Sequence, residues 1–186
     1  MNEQKVKKTN TIEPGGAVTS AFDWVGAAVV ALTVVAILFS LFFRVVKVSG
    51  DSMCDTLVSG EKLLLTAIIT NPDYGDIVVI TQENDEPLIK RVIGLPGDTI
   101  FINNNEGIVY RNGQPLDEPY VRGGYTSSGV QTSAVTVPEG CVYVLGDNRS
   151  ISKDSRSPQV GCPSMKNVVG VVTFRLAPFE SLRNGD

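Results

Sequence analysis

The sequence predicts a mostly β fold: an antiparallel, barrel-like β domain carried on one N-terminal transmembrane helix. Three observations predict it. Residues 25–43 form an uncharged apolar run whose only polar members are Thr33 and Ser40. Beyond that run, short β-branched stretches alternate with Gly, Pro, Asn and Asp, the pattern of strands separated by turns. No second apolar run of helical period follows.

The elements follow in chain order. Residues 1–23 are polar, carry Lys5, Lys7 and Lys8, and include Glu13-Pro14-Gly15-Gly16; they read as a flexible tail. Residues 24–43 read as a membrane anchor. Its uncharged run covers roughly 28 Å at helical rise, close to the hydrocarbon thickness of a bilayer. Apolarity on every side argues against a buried core helix. A cleaved signal peptide would have a shorter apolar region ending in small residues, whereas this run ends in Leu41, Phe42 and Phe43, followed by Arg44. Trp24 stands where an interfacial indole is expected. The three tail lysines outnumber Arg44 and Lys47 on the far side, so the positive-inside rule puts the N-terminus in the cytoplasm and the C-terminal part outside.

Residues 44–186 read as one β-rich domain. Strands are expected at Val45–Val48, Leu63–Thr66, Ile77–Thr81, Ile89–Ile93, Thr99–Ile102, Ile108–Tyr110, Val135–Val137, Val142–Leu145 and Val168–Phe174. Asn112-Gly113 is a two-residue hairpin turn, because both central positions need positive φ. Asn71-Pro72, Pro96-Gly97-Asp98 and Pro138-Glu139-Gly140 mark further turns.

Composition narrows the chemistry. The chain of 186 residues has 16 Lys+Arg, 20 Asp+Glu and no histidine, for a net charge of −4. Without imidazole there is no Ser-His-Asp or Cys-His machinery and no His-ligated metal. Three scattered cysteines do not make a zinc or iron–sulfur site, so no metal and no cofactor is expected. A mildly acidic chain lacks the basic footprint of a nucleic-acid binder. An enzyme built on this chain must take its base from a carboxylate, a lysine or a tyrosine.

Three segments have the residues for chemistry, and each also has an ordinary structural reading. In Val48-Ser49-Gly50-Asp51-Ser52-Met53, a serine after a glycine turn can expose its hydroxyl and free backbone N–H groups for an oxyanion, or can simply form the turn. In Leu88-Ile89-Lys90-Arg91-Val92-Ile93-Gly94, strand alternation gives each face one basic residue. Lys90 is then either an edge charge or a buried lysine kept neutral. A neutral base near pH 7 needs a downward pKa shift of about 3 units, which desolvation can supply. The segment Gly146 to Arg156, GDNRSISKDSR, is either a solvated loop or a network in which two Asp and two Arg satisfy one another.

Together the three segments resemble the bacterial type I signal peptidases, Ser-Lys membrane proteases that remove signal peptides from exported proteins. The family's serine motif appears as Gly50-Asp51-Ser52-Met53-Cys54-Asp55-Thr56-Leu57, its G-D-I-V as Gly75 to Val78, its K-R-V-I-G-x-P-G-D as Lys90 to Asp98, and its G-D-N-R-x-x-S-x-D-S-R as Gly146 to Arg156. The resemblance spans residues 45–175 and is closest to the single-anchor, Gram-positive type.

The resemblance implies Ser52 as nucleophile, Lys90 as general base and Ser152 as the serine that hydrogen-bonds and orients the lysine. It implies the Ser52 N–H as an oxyanion donor. Gly50 stands where many relatives place a second, side-chain donor, which glycine cannot supply. Asp147, Arg149, Asp154 and Arg156 match the supporting polar network. The implied partners are exported preproteins, bound at their signal-peptide cleavage region along a strand edge, together with membrane lipid. Ser52 lies nine residues after Phe43, which keeps such a site near the membrane surface.

The resemblance breaks at Asp55, where the family has proline; the change removes a fixed φ and adds a charge. A catalytically impaired, membrane-anchored binding or scaffolding relative is the alternative it raises. Soluble self-cleaving repressors share Ser-Lys chemistry but carry a DNA-binding segment in place of an anchor. Cys141 and Cys162 flank the Ser152 loop as a disulfide or as two buried thiols, and Cys54 reads as a turn residue.

Overall fold

The computed structural model describes residues 16–67, 71–82, 85–176 and 179–182. The chain divides into two compact units, Met1–Ser40 and Leu41–Asp186. Residues 1–15, which include Lys5, Lys7 and Lys8, lie outside the described residues.

Helix α1 runs over Gly16–Phe42. It starts inside the stretch read as tail and ends one residue short of the predicted anchor end. Its span Phe22–Phe42 is long and apolar enough to cross a membrane. Large apolar side chains are exposed all round it, from Phe22 and Trp24 to Leu38 and Leu41, as expected of a lipid-facing helix and not of a core helix. The hydroxyls of Thr33 and Ser40 donate within the helix to Val29 O and Ile37 O, each at 2.8 Å. That leaves the span without an unsatisfied hydroxyl, a requirement in hydrocarbon.

The second unit is mostly β, and all its strand pairings are antiparallel. The strands are β1 (Phe43–Lys47), β2 (Lys62–Thr66), β3 (Ile77–Gln82), β4 (Asp85–Gly94), β5 (Thr99–Asn103), β6 (Ile108–Arg111), β7 (Gln114–Pro115), β8 (Val135–Thr136), β9 (Tyr143–Leu145), β10 (Val168–Leu176) and β11 (Phe179–Ser181). One sheet has the order β1-β2-β10-β3-β4-β9, with β11 on β10; the other has the order β7-β6-β5-β8.

The nine predicted strands are present with ends shifted by a few residues at most, apart from the four-residue forward extension of β4. The two short strands, β7 and β11, were not foreseen. Strand β7 exists because the Asn112-Gly113 turn folds the chain back: φ is 53° at Asn112 and 78° at Gly113, and Arg111 pairs with Gln114.

The first sheet is covered on both faces, so β3 reads as a continuous apolar run. Ile77 and Val79 pack with Val48, Met53, Leu57, Leu63, Leu65 and Val172. Val78 and Ile80 pack on the opposite face with Val92, Val142, Val144 and Val171. A third cluster around Ile93, Ile100, Val109 and Tyr143 joins strands of both sheets. Strand β4 therefore lies between β3 and β9; Lys90 stands opposite Val78 of β3, while the β9 pairing begins one residue later, at Arg91.

Candidate active site

The segment after β1 is shaped by what it buries. Val48, Met53 and Leu57 are core residues, and Leu57 N donates to Met53 O at 2.8 Å. Between Val48 and Met53 the chain must make its turn at the surface, and Gly50 adopts φ 80° there. Ser52 is carried on this turn, half-buried, immediately before the Met53 anchor.

Lys90 reaches that turn from β4. Its Nζ lies 2.8 Å from Ser52 Oγ and also donates to Ile89 O at 2.8 Å. The residue is only 2% exposed. Burial pulls its pKa down from 10.5 to about 8, against the opposing pull of the Asp154 and Asp147 carboxylates. The neutral amine thus rises from a trace to roughly one molecule in ten at pH 7.

Ser152 is drawn to the same spot. Gly146 admits the contact because it lacks a side chain: a Cβ there would stand 2.2 Å from Ser152 Oγ and 2.5 Å from Ser52 O. The expected hydrogen bond from Ser152 to Lys90 is not formed. Lys90 takes the Ile89 carbonyl instead, and Ser152 Oγ is buried with no hydrogen-bond partner among the described residues.

The loop Gly146 to Arg156 grips the Ser52 turn directly. Asn148 N donates to Ser52 O at 3.0 Å, and Asn148 Nδ2 donates to Asp51 O at 3.2 Å. The loop is held by three bidentate ion pairs, and their pairing differs from the sequence expectation. Only Asp154 and Arg156 satisfy each other, at 2.8 Å through Nε and Nη2. Asp147 instead accepts from Arg91 Nε at 2.9 Å and Nη2 at 2.6 Å, and from Thr56 Oγ1 at 2.5 Å. Arg149 donates to Glu118 at 2.6 and 3.1 Å. Arg91 enters because β4 and β9 are neighbours, with Arg91 opposite Leu145, two residues before Asp147. Arg91 and Thr56 lie inside quoted motifs, yet their partners are not legible from spacing. Glu118 stands 31 residues before Arg149 and carries no sequence signal.

Two further positions bear on the chemistry. Space around Gly50 is open, so no neighbouring side chain takes up the room a donor at this position would use. The Asp55 side chain is 80% exposed and meets Arg122 only at 4.0 Å, so its charge is largely solvated. All three cysteines are free and half-buried. Burial, with Cys141 nearby, pushes the Cys162 thiol up to about 11, which makes it a poor nucleophile at neutral pH.

A cavity of about 490 Å³ opens beside Ser52 and Lys90. Val46 to Gly50, Met53, Val79, Glu86 to Ile89 and Val169 also line it. It is mostly apolar, with Ser52 and Lys90 among its lining residues.

Residues 21–177 match the family described as signal peptidase, peptidase S26. The chain is 40% identical over 168 residues to a signal peptidase I of Bacillus caldolyticus, covering 81% of this chain and 88% of that protein. It is 35% identical over 178 residues to a signal peptidase I of Bacillus licheniformis, covering 90% and 94%. A crystal structure of a signal peptidase I from Enterococcus faecalis is similar at 33% identity and a TM-score of 0.45, covering 55% of this chain and 97% of that one.

Proposed function

The chain belongs to the signal peptidase family, peptidase S26, and on that premise we propose that it is a single-pass membrane endopeptidase that removes signal peptides from exported preproteins with a Ser52–Lys90 dyad. The observation that carries the dyad is the 2.8 Å approach of Lys90 Nζ to Ser52 Oγ inside a desolvated environment. The proposed orientation places the N-terminus in the cytoplasm and the β domain outside, where the cleavage region of a translocated preprotein emerges.

The chemistry follows from the geometry. Neutral Lys90 accepts the Ser52 hydroxyl proton as Oγ attacks the scissile carbonyl. The Ser52 N–H faces the developing oxyanion. The lysinium then protonates the departing amine, and the acyl group is left as an ester on Ser52. A water that gives its proton to Lys90 hydrolyses this ester and restores the serine. Ser152, with an unpartnered hydroxyl at the same spot, is assigned to orienting Lys90. Asp147, Arg149, Asp154 and Arg156 are assigned to holding the loop that positions Ser52. The apolar cavity beside the dyad suits the small side chains that precede the cut, held on an extended strand.

The test is incubation with a purified preprotein and sequencing of the new N-terminus. The wild-type chain releases one mature product. Ser52→Ala and Lys90→Ala abolish release with circular dichroism unchanged. Lys90→Arg is also inactive, because guanidinium does not lose its proton at working pH. Normal turnover in any of the three overturns the dyad.

A further inference from the structure

The mostly apolar cavity beside Ser52 and Lys90 accounts for one side of a scissile bond. A second cleft, of about 470 Å³, is lined by Ser127, Val130, Ser152, Arg156, Pro158 and Gln159, among others. The two share no lining residue. One lining residue of each, Ser52 of the first and Ser152 of the second, comes up against Gly146, whose absent Cβ would touch both Ser152 Oγ and Ser52 O.

We propose that this second cleft receives the residues beyond the cut, the first part of the mature protein, while the first cavity holds those before it. The proposal rests on the Ser52–Lys90 reading. During acyl transfer one half of the substrate stays bound to Ser52 while the other must leave, so the two halves need separate sites meeting at the nucleophile. Ser152 supplies that meeting point: it lines the second cleft, and its buried hydroxyl has no partner among the described residues.

The wall chemistry identifies the kind of peptide. Arg149 and Arg156 line the cleft, but both guanidinium groups are committed to Glu118 and Asp154. What remains is hydroxyl, the Gln159 amide and apolar surface, with Val130 66% exposed. Such a surface holds an extended peptide without demanding a particular charge, which suits mature N-termini of varied sequence.

Two substrates with the same residues before the cut test this. One ends in an anilide leaving group; the other continues for about five residues past the cut. Val130→Trp and Gln159→Trp fill the cleft from exposed positions. Each is expected to lower the ratio of kcat/KM for the extended substrate to that for the anilide by about tenfold or more. A photo-reactive residue at the third position past the cut, used with Ser52→Ala protein, is expected to label residues 127–130 or 157–159. Ratios within about twofold of wild type in both variants, or labelling confined to residues 46–49 and 86–89, overturn the proposal and leave the peptidase reading standing. If wild-type protein cleaves neither substrate, the peptidase reading falls and this proposal falls with it.

Discussion

At the scale of single residues, Lys90 carries two opposed consequences of burial. Its depressed pKa suits it to the proposed role of base, and the same depression destabilises the fold. Below pH 8 the lysine is protonated in both folded and unfolded chains, and the folded state bears the full cost of desolvation. Between pH 8 and 10.5 the folded chain is neutral while the unfolded one is still charged, so stability rises with pH across that window. Above 10.5 the cost is gone. Lys90→Met, which keeps the volume, is therefore expected to raise stability at pH 7 by up to about 3 kcal/mol while eliminating activity. The gain should fade as pH passes from 8 to 10.5. Urea midpoints of both proteins at pH 7, 9 and 10.5 check the sign; a Met variant less stable than wild type at pH 7 contradicts it. The same value sets the activity profile: kcat/KM should climb about tenfold per pH unit below 8 and level off above it. A profile flat between pH 6 and 8 would mean that Lys90 is not the titrating base.

At the scale of elements, the site depends on β4, β9 and the loop Gly146 to Arg156 being locked together. Asp147 is fully buried and accepts three hydrogen bonds, two from Arg91 and one from Thr56. Removing either ionic partner strands the other charge away from water. Asp147→Ala and Arg91→Ala are each expected to destabilise by about 3–5 kcal/mol, whereas the two changes combined in one chain should cost less than the sum of the separate changes. A double-mutant cycle by urea unfolding reads this, and strict additivity would show that the pair is not coupled. Both single changes should also weaken cleavage, because Asn148, the next residue, holds Ser52 O. Strand positions were legible here because β-branched runs and turn residues are local signals. Lys90 and Ser52 were legible as candidates and the resemblance implies their pairing; the residues alone do not, because the contact depends on how β4 meets the turn that carries Ser52. In the network reading the loop's two Asp and two Arg satisfy one another, whereas Asp147 and Arg149 pair outside the loop, with Arg91 and Glu118. Nearness in sequence suggests the first arrangement, whereas the β4–β9 register brings Arg91 to Asp147. The short strand β11, Phe179-Glu180-Ser181, has no β-branched residue and follows Pro178, so it carries no local strand signal.

At the scale of the whole molecule, helix and β domain meet in sequence at β1, which makes the boundary between them testable. Strand β1 begins at Phe43 directly after α1 and pairs with β2 along its full length, from Phe43 opposite Thr66 to Lys47 opposite Lys62. Val46 packs against the first core cluster and Val48 belongs to it. A chain beginning at Phe43 keeps all of this strand pairing and core packing, though it gives up the hydrogen bond from Ala67 N to Phe42 O. It is expected to fold, to stay in solution and to cleave a detergent-solubilised preprotein, but to lose its association with lipid vesicles. A chain beginning at Gly50 loses β1 and Val48. It uncovers the edge of β2, the kind of unpaired strand that invites aggregation, and removes buried apolar contacts worth about 1.5–3 kcal/mol for each fully buried side chain. It is expected to be insoluble. Vesicle flotation and size-exclusion chromatography of the two truncations separate the roles: α1 for membrane attachment, β1 for the fold. A soluble, monomeric chain beginning at Gly50 would show that β1 belongs functionally with the anchor and that the β domain is complete without it.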